Sequence, residues 1–171
     1  MTSSDLKQIQ ISSAIDLFSE GEVNQALDAV QDLLKDYPNE PVLFNIKGAC
    51  YADLGQLDVA VTNYKEAITI KPDYAKAHFN LAGSLHDLGQ LETAVQSYQK
   101  AIEIDASYAE AYNNLGNVYQ ELKQVDSAVQ NYKRALEIKP DYVAAQYSLG
   151  NTFMELGQLE EAVKSYKAAL K

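Results

Sequence analysis

Small and large apolar residues recur along this chain with a single period. Alanine stands at 26, 60, 94, 128 and 162, and a small residue (Ala14, Gly48, Ala82, Gly116, Gly150) precedes each by twelve positions. Every interval between copies is 34 residues. A large apolar side chain follows the first small residue by three positions, as Leu17, Tyr51, Leu85, Tyr119 and Phe153. Another follows the alanine by four, as Val30, Tyr64, Tyr98, Tyr132 and Tyr166. Steps of three and four put side chains on one face of a helix, so each period predicts two amphipathic helices. Small residues at matched places let the two helix axes approach closely. Ala67, Ala101, Ala135 and Ala169 supply a further small place where the next unit would stack.

The punctuation agrees with a helix hairpin per period. Gly21, Gly55, Gly89 and Gly157 stand where a first helix would close in a left-handed cap. Pro38, Pro72 and Pro140 would end the second helix, because proline donates no backbone hydrogen bond. Asn39, Asp73, Ser107 and Asp141 follow as expected N-caps, and Ser107 with Glu110 has capping-box spacing. After a leader, 1–6, the array divides into 7–40, 41–74, 75–108, 109–142 and an unfinished 143–171. Three departures carry expectations. Lys123 replaces the cap glycine and should be strained. Ala106 replaces the proline, so the helix before it should run on past Asp105. Lys47 stands where Leu81, Leu115 and Leu149 recur; either the early units pack differently or its stem lies on the core.

The run Tyr112, Leu115-Gly116, Tyr119, Ala128, Tyr132, Ala135, Pro140 closely resembles the tetratricopeptide repeat, and the likeness extends over 7–171. The resemblance implies an all-α fold, a right-handed superhelical α-solenoid of helix-turn-helix repeats. The phrases Asn80-Leu81-Ala82 and Asn114-Leu115-Gly116 look like repeats fused to O-linked N-acetylglucosamine transferases and bacterial transferases, which makes this a bacterial-type array. In such arrays the first helices line a concave, peptide-binding groove.

Carried onto this sequence, that surface is rich in asparagine: Asn45, Asn80, Asn113, Asn114, Asn117 and Asn151. Amide side chains both donate and accept, which suits the backbone of an extended peptide. An acidic row, Asp53, Asp87, Glu121 and Glu155, would attract a basic segment. At one end Ile11, Ile15 and Phe18, with Ile46 beside them, form an apolar anchor or a self-association patch. The cationic clamp that holds acidic chaperone tails in this family is not reproduced: its places carry Ile11, Ile15, Glu110 and Ala144.

Composition narrows the function. Of 171 residues, 24 are Asp or Glu and 14 Lys or Arg, a net charge of −10 that argues against nucleic acid. No apolar run is long enough to span a membrane, and no secretory signal opens the chain, so a cytoplasmic location is expected. No catalytic set, cofactor loop or metal cluster is legible, so the expectation is no enzyme, no cofactor and no metal. His78 falls at an inward packing place, and Cys50 reads as a small buried hydrophobe.

The leading expectation is a non-catalytic module binding a neutral to basic, extended or helical segment of another protein. One alternative is a self-assembling scaffold. It would pair the apolar N-terminal patch with the C-terminal edge that Val163, Tyr166, Ala169 and Leu170 expose, unless the chain is a fragment of a longer protein. The other is the targeting arm of a larger bacterial transferase.

Overall fold

The computed structural model describes residues 3–170, and ten α-helices with no strand run through them. They fall into two compact units that divide after Leu88. The first unit holds α1 (Ser3–Ser19), α2 (Val23–Asp36), α3 (Pro41–Asp53), α4 (Leu57–Ile70) and α5 (Ala75–Asp87). The second holds α6 (Leu91–Ile104), α7 (Ala109–Glu121), α8 (Val125–Ile138), α9 (Val143–Glu155) and α10 (Leu159–Ala169). The division falls inside the third repeat, and α1 already begins within the expected leader.

In the hairpins that lie within one unit the small-residue seam is the contact. The alanines at 26, 60, 94, 128 and 162 are wholly buried. Opposite three of them stands a glycine that a tyrosine ring approaches closer than a Cβ normally allows. A Cβ on Gly48 would stand 2.6 Å from Tyr64 Cε1, and one on Gly116 2.5 Å from Tyr132 Cε1. Gly150 meets Tyr166 the same way at 2.6 Å. Without a side chain on the first helix, the tyrosine ring of the second comes up against its backbone. In the first unit the core gathers Ile11, Val30, Leu33, Leu43, Ile46 and Cys50 around the α1–α2–α3 contact. In the second, Tyr132, Leu149 and Phe153 meet across Ala128 and Ala162. Lys47 is half-buried, as a stem laid on the core requires.

Helix α7 closes in a Schellman turn: the Gln124 amide donates to Tyr119 O (2.8 Å) and the Lys123 amide to Gln120 O (3.0 Å). This places Lys123 at φ 60, the left-handed conformation that Gly55 and Gly157 adopt in the same turn. A Cβ there is disfavoured, so Lys123→Gly should stabilise the chain by about 1 kcal/mol. A higher urea midpoint checks this; a lower one contradicts it.

Two expectations about helix ends are corrected. The second-to-first-helix junctions place the N-caps at Glu40, Tyr74, Tyr108 and Tyr142, one residue beyond Asn39, Asp73, Ser107 and Asp141, and none makes a side-chain cap bond. Tyr74, Tyr108 and Tyr142 are each half-buried at those starts. Ser107 does not complete a capping box: its amide (2.9 Å) and hydroxyl (2.6 Å) both donate to Asp105 Oδ1. That Asx turn also holds the Asp105 carboxyl below its usual range, the hydroxyl bond contributing most and the amide next. It ends α6 at Ile104, in register with Ile70 and Ile138, so Ala106 lengthens nothing.

Candidate functional site

The first helix of each hairpin supplies the candidate surface, and each unit builds a different one. In the first unit a groove of about 350 Å³ opens among α1, α3 and α5. Ile15, Phe18, Ile46 and Ala49 give it an apolar floor; Asn45, Asn80, Asp53 and Lys76 give it polar walls. Asn80 Nδ2 donates to Asn45 Oδ1 across 3.0 Å, so the two amides are held as a pair. Ile15, Phe18 and Ile46 therefore meet as the sequence suggests. Ile11 does not: it is 4% exposed and packs in the core among α1, α2 and α3. Asp87 is exposed at the end of α5 and lies outside that groove's lining.

In the second unit the surface is polar. Asn117, Gln120, Glu121, Ser148, Asn151 and Glu155 line a hollow of about 260 Å³ between α7 and α9. Its amides are fixed from beneath by the hairpin seam. The Tyr132 hydroxyl donates to Asn117 Oδ1 (2.9 Å), and the Tyr166 hydroxyl to Asn151 Oδ1 (2.7 Å). Burial, chiefly, pushes the Tyr132 phenol up to about 12, with Glu155 and Glu121 adding to the shift, so it stays a protonated donor at neutral pH. Each oxygen is thereby held, and the Asn117 and Asn151 Nδ2 groups donate no hydrogen bond among the described residues. Gln120 Nε2 donates to Glu155 Oε2, and Thr152 Oγ1 lies 3.4 Å from Gln120 Oε1. Asn113 and Asn114 behave differently. Asn113 is 4% exposed and donates to Asn114 Oδ1 at 3.2 Å, so it is sunk below the surface that Asn117 reaches.

The tyrosine anchors were missed from the sequence, although the signal is present: Asn117 to Tyr132 and Asn151 to Tyr166 are both fifteen residues apart. In the first unit the equivalent Tyr64 is bonded to Ser84 instead, because Ala49 and Gly83 stand where the later repeats carry asparagine.

The residues set aside as structural have structural surroundings. His78 Nε2 donates to the Pro72 carbonyl (2.9 Å), tying the start of α5 to the preceding turn. Cys50 is wholly buried, and burial, with Asp53 second, lifts its thiol to about 11. At pH 8 the folded chain should therefore resist alkylation and label only once denaturant opens the core. Rapid labelling of the native chain, followed by mass spectrometry, would contradict that placement. Among the described residues no group of His, Cys, Asp and Glu is arranged to hold a metal ion, and no helix is long and apolar enough to cross a membrane.

Hairpins of this register, three of them sealed by a glycine against a tyrosine, define a helical-repeat protein. The chain belongs to the tetratricopeptide repeat family: models of that repeat match residues 48–86, 83–123, 109–142 and 131–164. The expected class, an all-α solenoid of helix-turn-helix repeats, is therefore the one found. Part of the chain is similar to the peroxisomal targeting signal receptor of Candida glabrata, 30% identical over 76 residues. That match takes in 44% of this chain but 13% of the receptor, so the chain spans a small part of that relative's length. Among solved structures, MamA matches with a TM-score of 0.81 and 29% identity, over 92% of either chain. Pseudomonas aeruginosa pilF matches with a TM-score of 0.92 over 98% of this chain and 76% of that one; at 17% identity it speaks to the fold alone.

Proposed function

We propose that residues 7–171 act as one non-catalytic, peptide-binding array, taking an extended or helical segment of a partner protein on the first-helix surface. The observation that carries this reading is the pair of tyrosine-anchored asparagines, whose Nδ2 donors are positioned in advance and left without partners among the described residues. Donors held this way bond a ligand's carbonyls with little ordering cost. In the first unit Asn45 and Asn80, bonded to each other, stand beside the apolar floor of Ile15, Phe18 and Ile46, which suits one apolar side chain of the ligand. Asp53, Asp87, Glu121 and Glu155 favour a neutral to basic segment over an acidic one. Membership of the family and the partial likeness to a targeting signal receptor agree with a role in binding proteins or peptides.

The test is affinity for a peptide selected from a displayed library. Asn117→Ala with Asn151→Ala should weaken it at least tenfold at unchanged helicity, and raised salt should weaken it further. Equal affinity for the variant, or selection of acidic peptides, would overturn the reading. A second reading, self-assembly, rests on the exposed Leu159 (59%), Val163 (49%) and Leu170 (87%) of the last hairpin. Sedimentation across a hundredfold concentration range separates the two.

A further inference from the structure

On the opposite side of the last hairpin, α8, α9 and α10 enclose a cleft of about 460 Å³ that shares no residue with the polar hollow. That volume is within the usual range of small-ligand pockets, roughly 300–1,000 Å³. Its origin is legible in the repeat register. In the preceding hairpin the equivalent places carry Tyr112, Tyr119, Asn131 and Arg134. There Gln99 Nε2 donates to the Tyr119 hydroxyl (3.0 Å), while Arg134 is turned to Glu137 beside it. Thirty-four residues on, all four are smaller: Gln146, Phe153, Ser165 and Ala168. One phenol ring, one hydroxyl and one guanidinium are missing from the register.

The polar accounting points the same way. Gln146 is 8% exposed, and its Nε2 is committed to the Pro140 carbonyl at 2.6 Å. Its Oε1 is buried and accepts no hydrogen bond. A buried carbonyl left unpaired is costly, so a bound group that donates to it is favoured. Leu136, Leu149 and Phe153 line the cleft together with Gln146. Lys133 and Lys164 outnumber Glu161 in the lining, a local cationic excess on a chain of net charge −10.

We infer that this cleft binds the tyrosine side chain of a partner segment, with the phenol hydroxyl donating to Gln146 Oε1 and acidic neighbours of that tyrosine meeting Lys133 and Lys164. The ligand restores what the register omits: an aromatic ring on Leu149 and a polar tip for a lone acceptor. It is a second recognition point, set by different residues from the asparagine surface.

The probes are two short peptides, acetyl-Glu-Tyr-Glu-amide and acetyl-Glu-Phe-Glu-amide, titrated into the 15N-labelled full chain. The tyrosine peptide should shift the Gln146 side-chain amide together with the Leu149 and Phe153 backbone amides, and should bind about tenfold more tightly than the phenylalanine peptide. The double substitution Gln146→Tyr with Ala168→Arg rebuilds the preceding hairpin's filling and should abolish both responses, while the asparagine surface keeps its spectrum. Equal affinity for the two peptides, the absence of shifts at millimolar peptide, or shifts confined to Asn117 and Asn151 would each overturn the inference. So would undiminished binding by the double variant.

Discussion

Tyr132→Ala is expected to lower the unfolding free energy by about 3–5 kcal/mol, the usual cost of deleting a buried aromatic ring. The ring is 2% exposed and rests on Gly116, where no side chain can follow it into the space it leaves. Tyr132→Phe keeps the ring and removes only the bond to Asn117, which is half-buried and regains water, so about 1 kcal/mol is lost. Gly116→Val attacks the seam from the other side. With a Cβ already 2.5 Å from the ring, two further carbons must displace it, at a cost of about 1–3 kcal/mol. Ala82 occupies the same register position in the third repeat, so a single methyl is within what this repeat accommodates. Urea denaturation followed by circular dichroism orders the variants. A Tyr132→Ala midpoint equal to that of Tyr132→Phe would show that the ring is not the seal of the hairpin.

The second large effect lies in the first unit. Leu43 is wholly buried in a cluster with Val30, Leu33 and Cys50, contributed by α2 and α3. Leu43→Ala removes three carbons from a site that neighbouring helices cannot collapse into, and should lose about 2–5 kcal/mol. Val59→Ala, at a valine 40% exposed on α4, should stay within about 0.5 kcal/mol. Similar losses for both would mean that the first unit's core is not where the α2–α3 contact places it.

The period carried most of the fold because it encodes contacts twice over. The alanine of the second helix and the small residue of the first are each recognisable alone, and their register pairs them. Helix ends were less legible. Asn39, Asp73, Ser107 and Asp141 have the chemistry of caps, yet the N-caps fall one residue later, at Glu40, Tyr74, Tyr108 and Tyr142, and none makes a side-chain cap bond. Local side-chain preference did not fix the helix start. At the α6–α7 junction the Asp105–Ser107 turn did the work that proline does elsewhere, a substitution visible only once the bonds are seen.

For the candidate site, periodicity identifies a face but not a depth. Asn113 and Asn117 are one helical turn apart, and both were assigned to the groove. Asn117 reaches the hollow, while Asn113 is covered. Ile11 and Ile15 repeat the lesson on α1: the first fills the core and the second lines the groove. Covering groups come from other helices, and a single helix's pattern does not carry them. The tyrosine anchors, by contrast, were legible as a fifteen-residue spacing that recurs with the repeat.

A ligand taken on prepositioned amides of the first-helix surface is read by a 15N-edited NMR titration of the full chain with a library-selected peptide, following the side-chain amides of Asn45, Asn80, Asn117 and Asn151. These four resonances, with the backbone amides of α3, α5, α7 and α9, should move furthest and saturate together. Shifts confined to α2, α4, α6, α8 and α10, with the four asparagine side chains unmoved at saturation, would contradict it.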